Sequence, residues 1–519
     1  MSNQTGRESP GRSGGAPRSG NQTDIQLNRR SFLETIGFAV ASAGALSILP
    51  GCGGMGRTTG AERKRPNVVF FFTDDQRFDT IRALGNKDII TPHMDWLVRN
   101  GTTFTNAYIM GSMSGAVCMP SRAMLMTGRT LFHLEGTGKV IPPEHVTLPE
   151  VLQRAGYTTF QTGKWHQDSK TFARCFSAAD KVFFGGMSDH YKVPVRDFDP
   201  AGRYPKEKIY SDEGKHSSEL FSDAAIRFLR EYKDDKPFFV YISYTAPHDP
   251  RDMPRKYLDM YDLEKIVLPK SFMPEHPFDN GDMKTRDEKL ASWPRTPEEI
   301  RRHKRAYYAM ITHVDAQIGR VLAALKETGQ AENTIIVFSA DNGLAVGRHG
   351  LMGKQNIYEH SVHVPLIIGG AGSAGHDHTR LRRAGIGKGQ KRDAFCYLLD
   401  IFPTLCELTG LSIPGSVEGR SLAPVIRGRK RKIRDTLFFA FKDIHRGVRD
   451  ERYKLIEYAV SGKRTTQLFD LQSDPWEVNN LVDSPNHSED LQRLRKELLR
   501  WKEELDDNSE FWQDPTTWG

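Results

Sequence analysis

Five short runs of β-branched and aromatic residues, at 67–72, 158–161, 238–244, 334–339 and 365–368, each end in Gly, Pro or polar residues. Apolar runs of that length predict strands buried on both faces. Between them, apolar positions recur with helical spacing over 147–154, 217–232 and 307–326. Strands alternating with helices predict an α/β fold in which helices sandwich a large, mostly parallel sheet. After about residue 413 the texture changes. Strand-like runs at 436–441, 447–458 and 467–471 follow one another without long helices, which predicts a smaller antiparallel sheet. A helix over 488–505 closes the chain, with Leu491, Leu494, Leu498, Trp501 and Leu505 on its inward face. The expected division is a catalytic domain over 67–412 and a C-terminal α+β subdomain over 413–519.

The first 51 residues do not share this patterning. A polar, arginine-containing start leads into Asn28-Arg29-Arg30-Ser31-Phe32-Leu33, and an apolar stretch from Ile36 to Leu49 follows. Paired arginines before a short apolar run resemble a twin-arginine export signal, which implies the twin-arginine machinery as a partner. The stretch is too short to span a bilayer and ends in Pro50-Gly51. Leu49-Pro50-Gly51-Cys52 resembles a lipobox, which would make Cys52 a lipid anchor, and 52–66 reads as a linker. The expected location is the bacterial periplasm or cell surface.

A chain of 519 residues with 38 % hydrophobic content can bury a large core. Its net charge of +8 falls by only 2 when the leader, with five arginines and three acids, is set aside. Basic clusters at 63–65, 380–392 and 427–432 read as solvated loops or as attraction for a polyanion. Sulfated polysaccharide suits an exported protein better than nucleic acid, for which no binding motif is present. Five cysteines without paired spacing indicate neither a zinc site nor a disulfide framework, leaving room for one disulfide.

The candidate chemistry lies just beyond the strands. The first runs into Asp74-Asp75, the second into Lys164-Trp165-His166, the third into Ala246-Pro247-His248 and the fourth into Asp341-Asn342. Open α/β sheets bind ligands outside the carboxyl ends of their strands, so these four segments converge on one edge. Asp74, Asp75, Asp341 and Asn342 offer hard oxygen donors, which suit Ca²⁺, or less well Mg²⁺, and argue against zinc. Three uncompensated buried carboxylates would be costly without a cation. Lys164 and His166 stand two apart in a turning segment, so both can face the site.

Cys118-Met119-Pro120-Ser121-Arg122, leading into Thr127-Gly128-Arg129, resembles the defining motif of the sulfatase family. Pro120 opens a helix that puts Arg122 one turn after Cys118 and on its side. The likeness extends to Gly347-Arg348-His349-Gly350-Leu351-Met352-Gly353-Lys354-Gln355, to Tyr358-Glu359-His360, and to Gln467-Leu468-Phe469-Asp470 with Asp474-Pro475-Trp476-Glu477. It covers 66 to about 481. His363 departs from the pattern, since relatives commonly carry Arg before Val-Pro. The resemblance implies an alkaline-phosphatase-like fold and a sulfuric ester hydrolase. It further implies that a formylglycine-generating enzyme oxidises Cys118 to an aldehyde. One divalent ion, usually calcium, would be held by Asp74, Asp75, Asp341, Asn342 and residue 118. Arg122, Lys164, His166, His248 and Lys354 would surround the sulfate. One hydroxyl of the hydrated aldehyde, with Asp341 as base, would attack sulfur, while His248 and Lys354 protonate or neutralise the leaving oxygen. His166 would help the second hydroxyl expel sulfate.

Two other readings remain open at this point. A phosphodiesterase or phosphonate hydrolase of the same superfamily would share the fold, although Cys118 and the single-metal donor set disfavour it. A surface glycan-binding protein without activity would share the likeness but lack a key residue, and none is missing. The substrate is expected to be a sulfated carbohydrate or aryl sulfate. Loops 184–211 and 253–302, with Tyr191 and Trp293, are the expected cover over the pocket.

Overall fold

The computed structural model describes residues 64–372, 386 and 389–513. The expected export leader, Cys52 and most of the linker lie outside the described residues, as does much of the basic cluster at 380–392.

The described strands are β1 (Asn67–Thr73), β2 (Gly101–Phe104), β3 (Ala107–Tyr108), β4 (Gly111–Ser112), β5 (Thr158–Lys164), β6 (Ala178–Phe183), β7 (Phe238–Ser243), β8 (Thr334–Ala340), β9 (Leu366–Gly370), β10 (Gln390–Arg392), β11 (Cys396–Tyr397), β12 (Leu437–Phe441), β13 (His445–Arg449), β14 (Tyr453–Val460) and β15 (Lys463–Asp470). Eight of them form one sheet in the order β10-β2-β9-β8-β1-β7-β5-β6. Only β9 runs against its neighbours. The parallel α/β expectation therefore holds.

Central strand β1 shows why its run reads as continuously apolar. Val68, Phe70 and Phe72 enter the core on one face, while Val69 and Phe71 enter the core on the other. The second core takes the apolar stripes of helices Ser217–Glu231 and Pro297–Glu327. Helices Cys118–Thr127 and Ile401–Thr409 cover the first. The sequence pattern misses β2, β6 and β10, which are short or carry polar residues toward the edges of the sheet. It also starts the longest helix ten residues late. That first stretch is charged and lacks an apolar stripe, yet Thr296 accepts the Glu299 amide at 3.3 Å as an N-cap.

Strands β12 to β15 form the expected antiparallel sheet, with one correction. The run over 447–458 is two strands, because Asp450 accepts the amides of Arg452 at 2.8 Å and Tyr453 at 2.6 Å and turns the chain between β13 and β14. This sheet also recruits β4, which pairs in parallel with β12. The closing helix, Ser488–Glu504, buries Leu494, Leu498 and Trp501, with Leu505 just beyond it, while Leu491 is half-buried. Among the described residues the four cysteines are free and buried, so the possible disulfide is absent there. No described helix is long and apolar enough to cross a membrane.

Candidate active site

Neighbouring strands β8, β1, β7 and β5 are mutually parallel and end at the same edge. The register pairing Thr73 with Ala340 sets Asp74 beside Asp341. Gly163 takes φ +95°, and a side chain there would stand 2.0 Å from the Ser243 carbonyl, so glycine lets β5 close on β7. That approach brings Lys164, the last residue of β5, next to Ser243.

The structure gathers the predicted residues from six segments. Cys118 begins helix Cys118–Thr127 and is 3 % exposed. Its Sγ lies 3.4 Å from Asp74 Oδ1, 4.0 Å from Asp75 Oδ1 and 3.3 Å from Lys354 Nζ. Arg122 reaches across to Asp341, with Nε 2.9 Å from Oδ2, and donates to Ser243 Oγ at 2.6 Å. Lys164 pairs with Asp74 and donates to the Gly186 carbonyl at 2.6 Å. Lys354 Nζ lies 2.6 and 2.9 Å from the two carboxylate oxygens of Asp75. His248 donates through Nδ1 to the Asp249 carbonyl at 2.8 Å, because a carbonyl only accepts, and turns Nε2 toward Asp75 at 3.7 Å. His166 is mostly buried, at the end of the same segment as Lys164, and its Nδ1 has no partner. Asp75 and His166 both take left-handed backbone conformations, φ 67° and 79°, which side chains rarely adopt outside sites that over-determine them.

The electrostatics show carboxylates held together against their repulsion. Burial pushes Asp74 up, but Lys164, His248 and Arg122 outweigh it and hold the carboxyl well below its ordinary range. Burial lifts Asp75 to about 7 despite Lys354, and burial with the Asp74 charge lifts Asp341 to about 6. Burial and Asp74 raise the Cys118 thiol well above its usual value, so the thiolate is disfavoured. Burial and Lys354 lower His248 to about 4. The expectation of three uncompensated carboxylates needs correction: Arg122, Lys164 and Lys354 accompany them.

The donor set still fits a divalent cation. Asp74, Asp75, Cys118 and His248 present ligand atoms within 4.8 Å of one another. Asn342 donates to Asp75 Oδ1 at 2.7 Å and its own Oδ1 is buried without a partner. An orphaned amide oxygen beside three carboxylates is what a hard cation satisfies.

The sulfatase family profile matches residues 66–411. The chain belongs to the sulfatase family. A second profile, described as the C-terminal part of N-sulphoglucosamine sulphohydrolase, matches 347–504. An arylsulfatase of Clostridium perfringens is 29 % identical over 486 residues, covering 87 % of this chain and 96 % of that one. An N-acetylglucosamine-6-O-sulfatase of Bacteroides thetaiotaomicron is 26 % identical over 524 residues, covering 86 % and 88 %. A solved structure described in complex with its substrate D-glucosamine-2-N,6-O-disulfate shares the fold, with TM-score 0.70, 24 % identity and coverage of 87 % and 100 %. The phosphonate monoester hydrolase of Agrobacterium radiobacter also shares it, with TM-score 0.67, 22 % identity and coverage of 85 % and 96 %. The protein is thus a hydrolase of sulfate esters.

Sequence reasoning missed the residues that support this sulfatase's centre. Ser243, which fixes Arg122, is the last residue of β7. Glu288 accepts the amides of Met352 at 2.9 Å and Gly353 at 2.8 Å, and Asp287 accepts from Gln355 at 3.0 Å, so both hold the segment carrying Lys354. They lie inside 253–302, expected as pocket cover, and a charged Asp-Glu pair in a loop gave no signal of that role. Of the two aromatics in the expected cover, Trp293 has the Arg295 guanidinium 3.8 Å over its ring and Tyr191 packs edge-on against His216.

Proposed function

We propose that this sulfatase works through a formylglycine made from Cys118 and one divalent ion, with calcium favoured, on a sulfated carbohydrate. The observation that carries the reading is the position of Cys118 Sγ, enclosed by Asp74, Asp75 and Lys354 where a raised thiol would be a poor nucleophile. A hydrated aldehyde at residue 118 would supply the oxygen nucleophile that a protonated thiol lacks. Asp74, Asp75, Asp341 and Asn342, with residue 118, would hold the ion, which when bound polarises a sulfate oxygen.

The chain's own groups divide the rest of the work. Arg122, Lys164 and Lys354 set three fixed positive charges around position 118 and so orient a sulfate against it. Lys354 Nζ already donates to Sγ, and the same ammonium is placed to donate to a leaving oxygen. His248 turns its Nε2 to the same space, and Asp341, held by Arg122, would serve as the base. Burial of the whole edge keeps competing water out.

The kinship with an N-acetylglucosamine-6-O-sulfatase and the structural likeness to a glucosamine disulfate complex support a sulfated amino sugar as the first substrate to test. We also propose export of the folded chain by the twin-arginine route, on the strength of Arg29-Arg30 and the short apolar run after them. Mass spectrometry of the tryptic peptide ending at Arg122 tests the modification. The aldehyde's mass deficit is expected in active enzyme, and an unmodified thiol at full activity would overturn it. Parallel assays on glucosamine 6-sulfate, an aryl sulfate and a phosphonate monoester test the substrate, with sulfate esters expected to be preferred.

A further inference from the structure

The segment 184–211 was expected to cover the pocket, yet residues Gly186 to His190 touch the centre itself. The Gly186 carbonyl accepts the Lys164 ammonium at 2.6 Å. The Gly186 Cα leaves room for the His166 ring: a β-carbon there would stand 2.9 Å from His166 Nε2. Four residues on, fully buried His190 lies 2.9 Å through Nε2 from the carbonyl oxygen of His248. One short stretch of chain therefore meets three residues assigned to the centre, which come from two different strands.

His190 is itself fixed on every side. A carbonyl only accepts, so Nε2 carries the hydrogen and Nδ1 is left to accept from Ser217 Oγ at 2.8 Å. Ser217 also donates its amide to the His190 carbonyl at 2.7 Å and takes a hydrogen bond from Thr245 Oγ1 at 2.9 Å. Ser217 opens helix Ser217–Glu231, so the chain of contacts ends on a rigid element. The His190 ring stacks on His216 at 4.9 Å, which holds its plane.

We propose that Gly186 and His190 form a positioning clamp that sets Lys164, His166 and His248 relative to one another. The proposal rests on the assignment of those three residues to the reacting centre. Neither Gly186 nor His190 need meet substrate. Each acts through the groups it holds, as outer partners of reactive side chains do.

Three variants and one spectrum test it. His190→Phe keeps ring volume and removes both hydrogen bonds. Its kcat on an aryl sulfate should fall by about 10- to 100-fold, the usual effect of losing such a partner, with KM nearly unchanged and the thermal midpoint close to wild type. His190→Gln offers an amide hydrogen near the place of Nε2 and should restore most of kcat. Gly186→Ala should press on His166 and lower kcat while leaving the His190 hydrogen bonds in place. Long-range ¹H–¹⁵N spectra of the histidine rings should show His190 protonated at Nε2 and bare at Nδ1, a readout that needs no turnover. The clamp is overturned by wild-type kcat in His190→Phe or Gly186→Ala, by His190→Gln as impaired as His190→Phe, or by the opposite ring tautomer. If His190→Phe does not fold, Gly186→Ala and the ring spectra decide. Inactivity of the wild-type enzyme on every sulfate ester would instead sink the reading of the centre, and the spectra would still test the contacts.

Discussion

Beneath β13 and β14, Glu359 receives Lys454 at 3.0 Å, Arg449 at 3.2 Å and the Tyr108 hydroxyl at 2.7 Å, and Lys454 also meets Glu477 at 2.8 Å. The carboxyl edge of the large sheet buries charge just as deeply, with three carboxylates against Arg122, Lys164 and Lys354. The outcomes differ. Burial pushes Glu359 up, but Lys454 and Arg449 overcome it and hold the group well below its ordinary range. At the sheet edge, equal numbers of opposite charges still leave Asp75 and Asp341 raised, Asn342 Oδ1 without a partner and two backbones in left-handed strain. Glu477, beside Lys454, is itself lifted by burial to about 7 and takes φ 56°, so a raised carboxyl and a left-handed backbone occur in both clusters; the sheet edge differs in having two raised carboxylates around an orphaned amide oxygen. Buried charge and a raised carboxyl are thus not enough to mark a site; the convergence of several such groups on one orphaned polar atom is the stronger sign.

The comparison breaks first on activity. Cys118→Ala should cost at least about 10⁴-fold in kcat on an aryl sulfate, the scale seen when a nucleophile is removed, without lowering the thermal midpoint. Conversely, Lys454→Met should leave Glu477 without its cation and Glu359 with Arg449 alone, and destabilise the fold by about 3–5 kcal/mol in urea melts. Refolded molecules should keep their KM. If Cys118→Ala unfolded the protein while Lys454→Met did not, the two regions would have been assigned the wrong way round.

Metal binding sharpens the contrast. Chelated enzyme should lose activity, and calcium at about 100 times its Kd should restore both activity and about 2.7 kcal/mol of stability. Asp74→Ala should abolish that gain, whereas Lys454→Met should retain it. A pH effect belongs to Asp315, which among the described residues has no ion-pair partner and accepts the amides of His93 and Met94. Burial lifts its carboxyl to about 7, so the folded protein keeps a proton that the unfolded chain releases above about pH 4. This contribution is complete at low pH and is lost as pH rises toward 7. Asp315→Asn should therefore flatten the decline of stability between about pH 4 and 7, by up to about 1.4 kcal/mol per pH unit.

Much of this architecture is legible from local pattern. The runs that became β1, β7, β8 and β9 are largely apolar because both faces of the sheet are buried, β5 was legible from its β-branched and aromatic residues, and the residues just beyond four of the five assemble at one edge. Strands β2, β6 and β10 stayed hidden because sheet edges tolerate polar residues. The break between β13 and β14 was missed since Asp450 makes its turn without glycine. At the site, the ligand-bearing side chains carried motif spacing, but their supports did not. Ser243, Glu288 and His190 act through hydrogen bonds across large sequence separations, and no periodicity encodes those.

The parallel pairing of β4 with β12 ties the segment just before Cys118 to a strand made much later in the chain. A ribosome working at ~5–20 residues per second needs tens of seconds to cover the ~300 residues between them. Throughout that interval β4 lacks its partner in the smaller sheet. In the finished fold the thiol is 3 % exposed, its Sγ enclosed by Asp74, Asp75 and Lys354. Any enzyme that acts on Cys118 in the open chain must therefore reach it before the fold closes around these residues.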